Sequence, residues 1–211
     1  DKYLLLFTKL IIFDLNTIMT AVYKKFLLFL GITILLCLSA SIVWSETMAD
    51  LNWRDGVYYK KLSDVPFNGK VNGHIKGLFK NGKKEGTWVR YYKNGELFSV
   101  SNYKAGKKNG AWITYSNKGM LIEKGMYKND FEEGDWIRLY ENGKINYKGK
   151  FKNGKKIGFW IAYHYNGQLN YRGSFKNGKR NEIWEYYLPN GSLHEEHSGI
   201  YKNGKKVSRK T

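Results

Sequence analysis

The chain has 211 residues, a formal net charge of +18 and one cysteine, Cys37. A lone cysteine excludes an intrachain disulfide framework, and so large a basic excess directs any electrostatic attraction toward anionic partners. Residues 1–45 carry four basic and two acidic residues, which leaves +16 on residues 46–211, where no cysteine occurs and thiol chemistry is excluded.

The first predicted element is hydrophobic. The chain begins with Asp1, and Met19 reads as the natural start, with residues 1–18 as a non-native or upstream segment. Met19–Lys25 is a short segment ending in two lysines, and residues 26–44 follow without a charge. Val43-Trp44-Ser45 fits a small-residue cleavage rule, with cleavage before Glu46. Residues 19–45 therefore read as a secretory signal peptide. The uncharged run is also just long enough to cross a membrane, so an uncleaved helical anchor through residues 26–44 is the alternative. Either way Lys24 and Lys25 stay on the cytoplasmic side and the rest is exported. That places the protein in the periplasm or on the cell surface, or anchors it to the inner membrane. Leu36 before Cys37 is too large for a lipoprotein box.

Residues 46–75 follow as a capping hairpin, drawn around Asp55–Gly73 with Val57-Tyr58-Tyr59 and Pro66-Phe67-Asn68-Gly69. Residues 76–206 are a tandem array. Trp88, Trp112, Trp136, Trp160 and Trp184 recur every 24 residues, and a fixed period of that size marks a repeat architecture. Gly86, Gly110, Gly134 and Gly158 precede a Trp by two positions, with Glu182 in the fifth copy. Leu97, Leu121, Ile145, Leu169 and Leu193 form another column, and Phe79, Tyr103, Tyr127, Phe151 and Phe175 another. A partial sixth copy, Gly199–Gly204, arrives two residues late, so an insertion lies within Leu188–Ser198. Residues 207–211 form a basic tail.

Each copy holds two turn signals, one at the Asn81-Gly82 position and one at Asn94-Gly95. Asn-Gly between apolar runs predicts a type I′ hairpin. The array therefore reads as all-β, an elongated single-layer antiparallel sheet of hairpins, preceded by a hydrophobic N-terminal helix. With Asn94-Gly95 as a two-residue loop, Trp88 faces Ser101, and the next copies set Gly125, Gly149 and Gly173 opposite Trp. Side chains alternate faces. Trp, Leu, Gly and the Phe/Tyr column then share the core face, with the five tryptophans as its spine. Val89, Ile113, Ile137 and Ile161 lie on the other face with Tyr91, Tyr115, Leu139, Tyr163 and Tyr187.

The segments Phe79-Lys-Asn-Gly-Lys-Lys-Glu-Gly-Thr-Trp and Phe151-Lys-Asn-Gly-Lys-Lys-Ile-Gly-Phe-Trp resemble the bacterial variant of the MORN repeat, over about residues 55–206. The resemblance extends to proteins labelled antitoxin-like. It implies a twisted single-layer antiparallel sheet used for protein and lipid contacts, with no shared chemistry.

Two groups are candidate binding residues. Lys83, Lys84, Lys107, Lys108, Lys155, Lys156, Lys179 and Arg180 follow the first turn of their copies and read as a basic stripe, broken in the third copy by Asp130, Glu132, Glu133 and Asp135. Tyr91, Tyr115, Tyr163 and Tyr187 form a ladder on the half-apolar face. Solvated lysines also keep β-edges from pairing, so the stripe has a purely protective reading as well. The partner is an unknown protein or an anionic envelope surface. Nucleic acid is the runner-up anionic partner, and export argues against it.

No catalytic set recurs with the repeat, no cofactor motif occurs, and no metal site is expected. His194-Glu195-Glu196-His197 is one residue short of the H-E-x-x-H spacing, and in an extended chain positions three apart face opposite ways. His164 stands in the column of Tyr92 and Tyr140 and reads as a packed variant. The expected function is a non-catalytic exported scaffold, with an antitoxin-like or immunity-type binder of one protein as the alternative.

Overall fold

The computed structural model describes residues 46–209. The predicted upstream segment, the signal peptide or anchor with its helix, and the last two residues lie outside that range. A 3₁₀ turn, Met48–Asp50, leads into a separate hairpin of β1 (Leu51–Arg54) and β2 (Val57–Lys60). The main sheet opens with β3 (Gly69–Val71) and β4 (Ile75–Lys80). It continues through β5 (Lys83–Tyr91), β6 (Leu97–Lys104), β7 (Lys107–Tyr115), β8 (Leu121–Lys128) and β9 (Phe131–Leu139). Then come β10 (Ile145–Lys152), β11 (Lys155–Tyr163), β12 (Leu169–Lys176), β13 (Lys179–Tyr186), β14 (Gly199–Lys202) and β15 (Lys205–Ser208). These thirteen strands pair antiparallel in strict sequence order. At about 4.8 Å per strand the sheet extends across roughly 60 Å.

The two turns of each copy are physically different. At Asn81-Gly82 both residues have positive φ, 49° and 68°, and Lys80 pairs directly with Lys83, which is the type I′ geometry expected. At Asn94-Gly95 only Gly95 is left-handed, at 88°. Gly95 N–H donates to Tyr92 O at 3.0 Å and Tyr92 N–H donates to Glu96 O at 2.8 Å. This is a three-residue loop, a type I turn closed by a left-handed glycine. Asn94 supports it through Oδ1, which accepts from Glu96 N–H at 3.1 Å. The two-residue reading of this turn is therefore corrected.

That correction moves a column. The register shifts between Arg90 and Tyr91, so Leu97 lies opposite Tyr91 while Trp88 still faces Ser101. Tyr115 likewise meets Leu121, Leu139 meets Ile145 and Tyr163 meets Leu169. The Leu column therefore belongs to the Tyr ladder's face, not to the tryptophans' face.

The core is a column rather than a layer. Phe79 and Trp88 meet edge to face at 4.8 Å, and Trp88 meets Tyr103 at 6.2 Å. The sequence resumes at Trp112 and runs Trp112–Tyr127–Trp136–Phe151–Trp160–Phe175–Trp184–Tyr201, with centroid spacings from 4.7 to 6.4 Å. Tyr103 and Trp112 make no ring contact among the described residues. Beneath four of the five indoles lies a bare backbone. A Cβ built on Gly77, Gly125, Gly149 or Gly173 would come within 2.2–2.3 Å of Trp88, Trp136, Trp160 or Trp184 respectively. The indole thus covers the glycine of the strand before it. Ser101 replaces that glycine ahead of Trp112, and Trp112 alone of the five stays half-buried.

Both ends of the column are closed. Tyr58 and Phe67 pack on Phe79 at 4.8 and 5.6 Å, joined by Leu51, Val71 and Met48. The cap is therefore two pieces, the β1–β2 hairpin turning at Asp55-Gly56 and the edge strand β3, rather than one hairpin over Asp55–Gly73. At the far end Tyr201 is buried against Trp184. Val207 and Ser208, expected in the tail, belong to β15. Since the glycine under Trp160 has no room for a methyl group, Gly149→Ala is expected to cost at least about 2 kcal/mol. A chemical-denaturation midpoint unchanged from the parent would contradict the column.

Candidate functional site

The paired basic residues divide by strand parity. Lys84 turns back over the core column, 4.5 Å above the Trp88 ring and 4.9 Å above Tyr103. Lys108 covers Trp112 and Tyr127 at 4.3 and 4.5 Å, and Lys156 covers Trp160 at 4.2 Å. The Arg180 guanidinium lies 4.2 Å over Tyr201. Burial holds the Lys84 and Lys156 ammonium groups below the ordinary lysine range, and for Lys84 the charges of Arg90 and Lys108 add to it. These four residues seal the column through cation–π contacts. They are half-buried, and expecting them all on the outer stripe is corrected.

The other members are exposed and lie at the tight turns. Lys80 faces Lys83, Lys104 faces Lys107, Lys152 faces Lys155, Lys176 faces Lys179 and Lys202 faces Lys205. Among the described residues none of these ten lysines makes an ion pair with a carboxylate. Like charges directly opposite one another destabilise a ladder. The turns are stacked by backbone bonds: Gly106 N–H donates to Lys84 O, Gly154 N–H to Glu132 O and Gly178 N–H to Lys156 O, at 2.9–3.0 Å. Successive lysine pairs therefore repeat at about two strand spacings, roughly 10 Å. A groove of 480 Å³ between the last turns is lined by Lys155, Lys176, Lys179 and Lys202 with three asparagines. In the third copy the sequence breaks as expected: Lys128 faces Phe131, which is exposed, and Glu132 takes the place of the lid lysine.

The Tyr ladder lies elsewhere. Lys83 opens β5 and Tyr91 ends it, so the two groups stand about 26 Å apart at opposite edges of the sheet. Tyr91, Tyr115, Tyr163 and Tyr187 are half-buried beside the Leu column, with Leu193 bridged to Tyr187. The long-turn edge is stitched from copy to copy. Tyr92 Oη donates to Tyr115 O and Tyr140 Oη to Tyr163 O, each at 2.8 Å. His164 Nε2 lies 2.8 Å from Tyr187 O in the equivalent place, as its column implied.

Sequence reasoning missed an apolar basin on the face opposite the tryptophans' indoles. It has a volume of 840 Å³ and is lined chiefly by Met126, Ile137, Phe159 and Ile161, with Lys124 and Lys148 at its side. Met126 and Phe159 are more than half exposed. Phe159 occupies the position before Trp, which reads Thr87, Ala111, Asp135, Phe159 and Ile183 along the copies. A position that varies so widely gives no column to follow. The His194–His197 segment also departs from expectation. It is a turn, not an extended chain, and the two imidazoles meet at 4.2 Å.

A family model described as the MORN repeat variant matches residues 84–105, 108–129, 132–153 and 158–177. Each of the first three matches runs from the lid position after one tight turn into the next tight turn, and the fourth begins at Gly158 and ends in a tight turn. No curated protein matches the chain.

The half-buried phenols give the array a pH signature. Burial raises Tyr103, Tyr147, Tyr171 and Tyr186 above the ordinary range. Burial, with Glu132 and Glu123 adding to it, pushes Tyr127 from 10.0 to about 12. A raised folded-state value gives stability that is full below the unfolded value and lost as pH climbs through the folded one. Lys84 and Lys156, shifted down, act in the opposite sense, with a burial penalty that is relieved as they deprotonate. The denaturation midpoint is expected to fall between pH 10.0 and about 12, and Tyr127→Phe is expected to shrink that fall. An equal fall in parent and variant would count against the Tyr127 assignment.

Proposed function

We propose that this chain is a non-catalytic repeat scaffold, exported from the cytoplasm, that docks through its tight-turn edge on an anionic surface of the cell envelope. The observation that carries the reading is the set of five exposed cross-strand lysine pairs, none of which is in an ion pair among the described residues. Folding gains nothing from placing like charges in register, and the lysines the fold does use point inward over the rings. A row of such pairs suits a surface of repeated negative charges, where each lysine contributes on the order of 1 kcal/mol. The export segment at residues 19–45 brings the scaffold to that surface. The MORN repeat variant match supports a contact role over a chemical one.

A second reading rests on a separate observation. The apolar basin around Met126 and Phe159 suits one specific protein partner, as an antitoxin-like or immunity-type binder requires. Salt separates the two, because screening at high ionic strength weakens exposed charge contacts and spares an apolar interface.

Vesicle sedimentation with and without anionic phospholipid tests the first reading. Binding is expected only to anionic vesicles and is expected to weaken with salt. A variant carrying Lys83→Gln, Lys107→Gln, Lys155→Gln and Lys179→Gln should bind at least about tenfold more weakly, at ~1 kcal/mol per lost lysine, and should melt no lower than the parent, since it relieves like-charge pairs. Binding indifferent to lipid charge and to the four substitutions would overturn it.

A further inference from the structure

The two-residue insertion that delays the last copy builds something the other copies lack. In the earlier copies a long turn passes straight into the next strand. Here the chain after Tyr187–Leu193 makes an additional turn before β14, with Ser198 N–H donating to His194 O at 3.0 Å and His197 N–H to the same oxygen at 3.2 Å. A one-turn coil brings positions three apart together, which an extended strand does not. His194 and His197 therefore stand with their rings at right angles and their Nδ1 atoms 3.1 Å apart. The Glu196 carboxylate completes a group whose ligand atoms all lie within 4.8 Å of one another.

The turn is held from several sides. His194 N–H donates to Tyr186 O at 2.7 Å. Tyr201 Oη donates to His197 O at 2.8 Å, and Lys206 Nζ donates to Glu195 O and Glu196 O at 3.2 and 2.7 Å. Tyr186 packs on the His197 ring at 6.0 Å. None of these bonds uses an imidazole nitrogen or the Glu196 carboxylate, and among the described residues the two Nδ1 atoms are hydrogen-bonded only to each other, a contact that a bound metal ion would replace. His194 is half-buried, and Glu196 and His197 are exposed.

We propose that His194, Glu196 and His197 form a surface site for a divalent transition-metal ion of the zinc class. Two imidazole nitrogens bound tetrahedrally at about 2.0–2.1 Å lie roughly 3.3 Å apart, close to the Nδ1 separation found here. Two imidazoles and one carboxylate suit a borderline ion such as zinc better than calcium or magnesium, which prefer all-oxygen cages. Three protein ligands leave the fourth position to water or to a partner's side chain. The site lies beside Tyr201, which closes the ring column, so occupancy ties the insertion to the C-terminal cap.

Titration of the chelator-treated full chain with zinc chloride alone, followed calorimetrically, tests this. One equivalent is expected to bind. His194→Ala and His197→Ala are each expected to weaken binding at least about tenfold, in line with the loss of a ligand-shell group, while His74→Ala leaves it unchanged. NMR gives an independent readout: zinc should shift the ring resonances of His194 and His197 and spare those of His74 and His164. Glu196→Gln, at an exposed position, provides a variant whose folding is not at risk. Absence of binding by the parent, or zinc binding equal in the His197→Ala variant, would overturn the site.

Discussion

The contact on which the sheet depends is a tryptophan lying on a glycine. A single-layer sheet has no opposing layer to bury its large side chains. The indoles are instead enclosed within their own layer: Trp88, Trp136, Trp160 and Trp184 have a bare backbone below and a Phe or Tyr edge on each side, and Trp88, Trp112 and Trp160 have a lysine above. Burial of Trp160 is complete by this means and that of Trp88, Trp136 and Trp184 nearly so. Removing a buried Trp costs about 3–5 kcal/mol, and each aromatic edge contact adds about 0.5–1.5 kcal/mol. Since the rings of one copy pack on those of its neighbours, except between Tyr103 and Trp112, no copy buries its tryptophan by itself, and the array stands as a chain of nearest-neighbour interfaces. The second copy shows the rule by its exception. Ser101 stands where the others have glycine, and there Trp112 remains half-buried and the ring sequence is interrupted.

The same geometry separates structural from available charge. Side chains alternate across a strand, so adjacent lysines after a tight turn cannot share a role. Lys84, Lys108 and Lys156 lie over rings, and their neighbours Lys83, Lys107 and Lys155 stand in solvent opposite another lysine. A count of basic residues along the chain overstates the binding charge by mixing the two. The third copy, with Phe131 and Glu132 at these positions, divides the basic edge into two stretches.

Much of this was legible because the repeat imposes it. The period of the tryptophans and the I′ turns follow from residue types alone, whereas the pairing of Trp88 with Ser101 holds only because the register shift at Tyr91 offsets the extra loop residue. The face of the Leu column was not legible. Asn94-Gly95 and Asn81-Gly82 are the same dipeptide, and what distinguishes them is the register shift at Tyr91, set by a loop that keeps Asn94 right-handed and uses its side chain to hold Glu96 N–H. The lid lysines were missed because their partners are the rings of the core, which a reading of exposed charge does not consult. The histidine pair was missed because the insertion changes the local chain from extended to coiled, and the spacing rule applied was that of a strand.

Hydrogen exchange at the indole N–H groups, resolved by NMR, tests the column most directly. Trp136, Trp160 and Trp184 donate Nε1–H to the carbonyls of Met126, Lys150 and Ser174 at 2.9–3.2 Å. Groups closed within one cooperative unit exchange only when that unit opens. These three indoles should therefore exchange slowly and at a common rate, and Trp112, half-exposed beside Ser101, about tenfold faster or more. Exchange of Trp160 as fast as that of Trp112 would contradict the account.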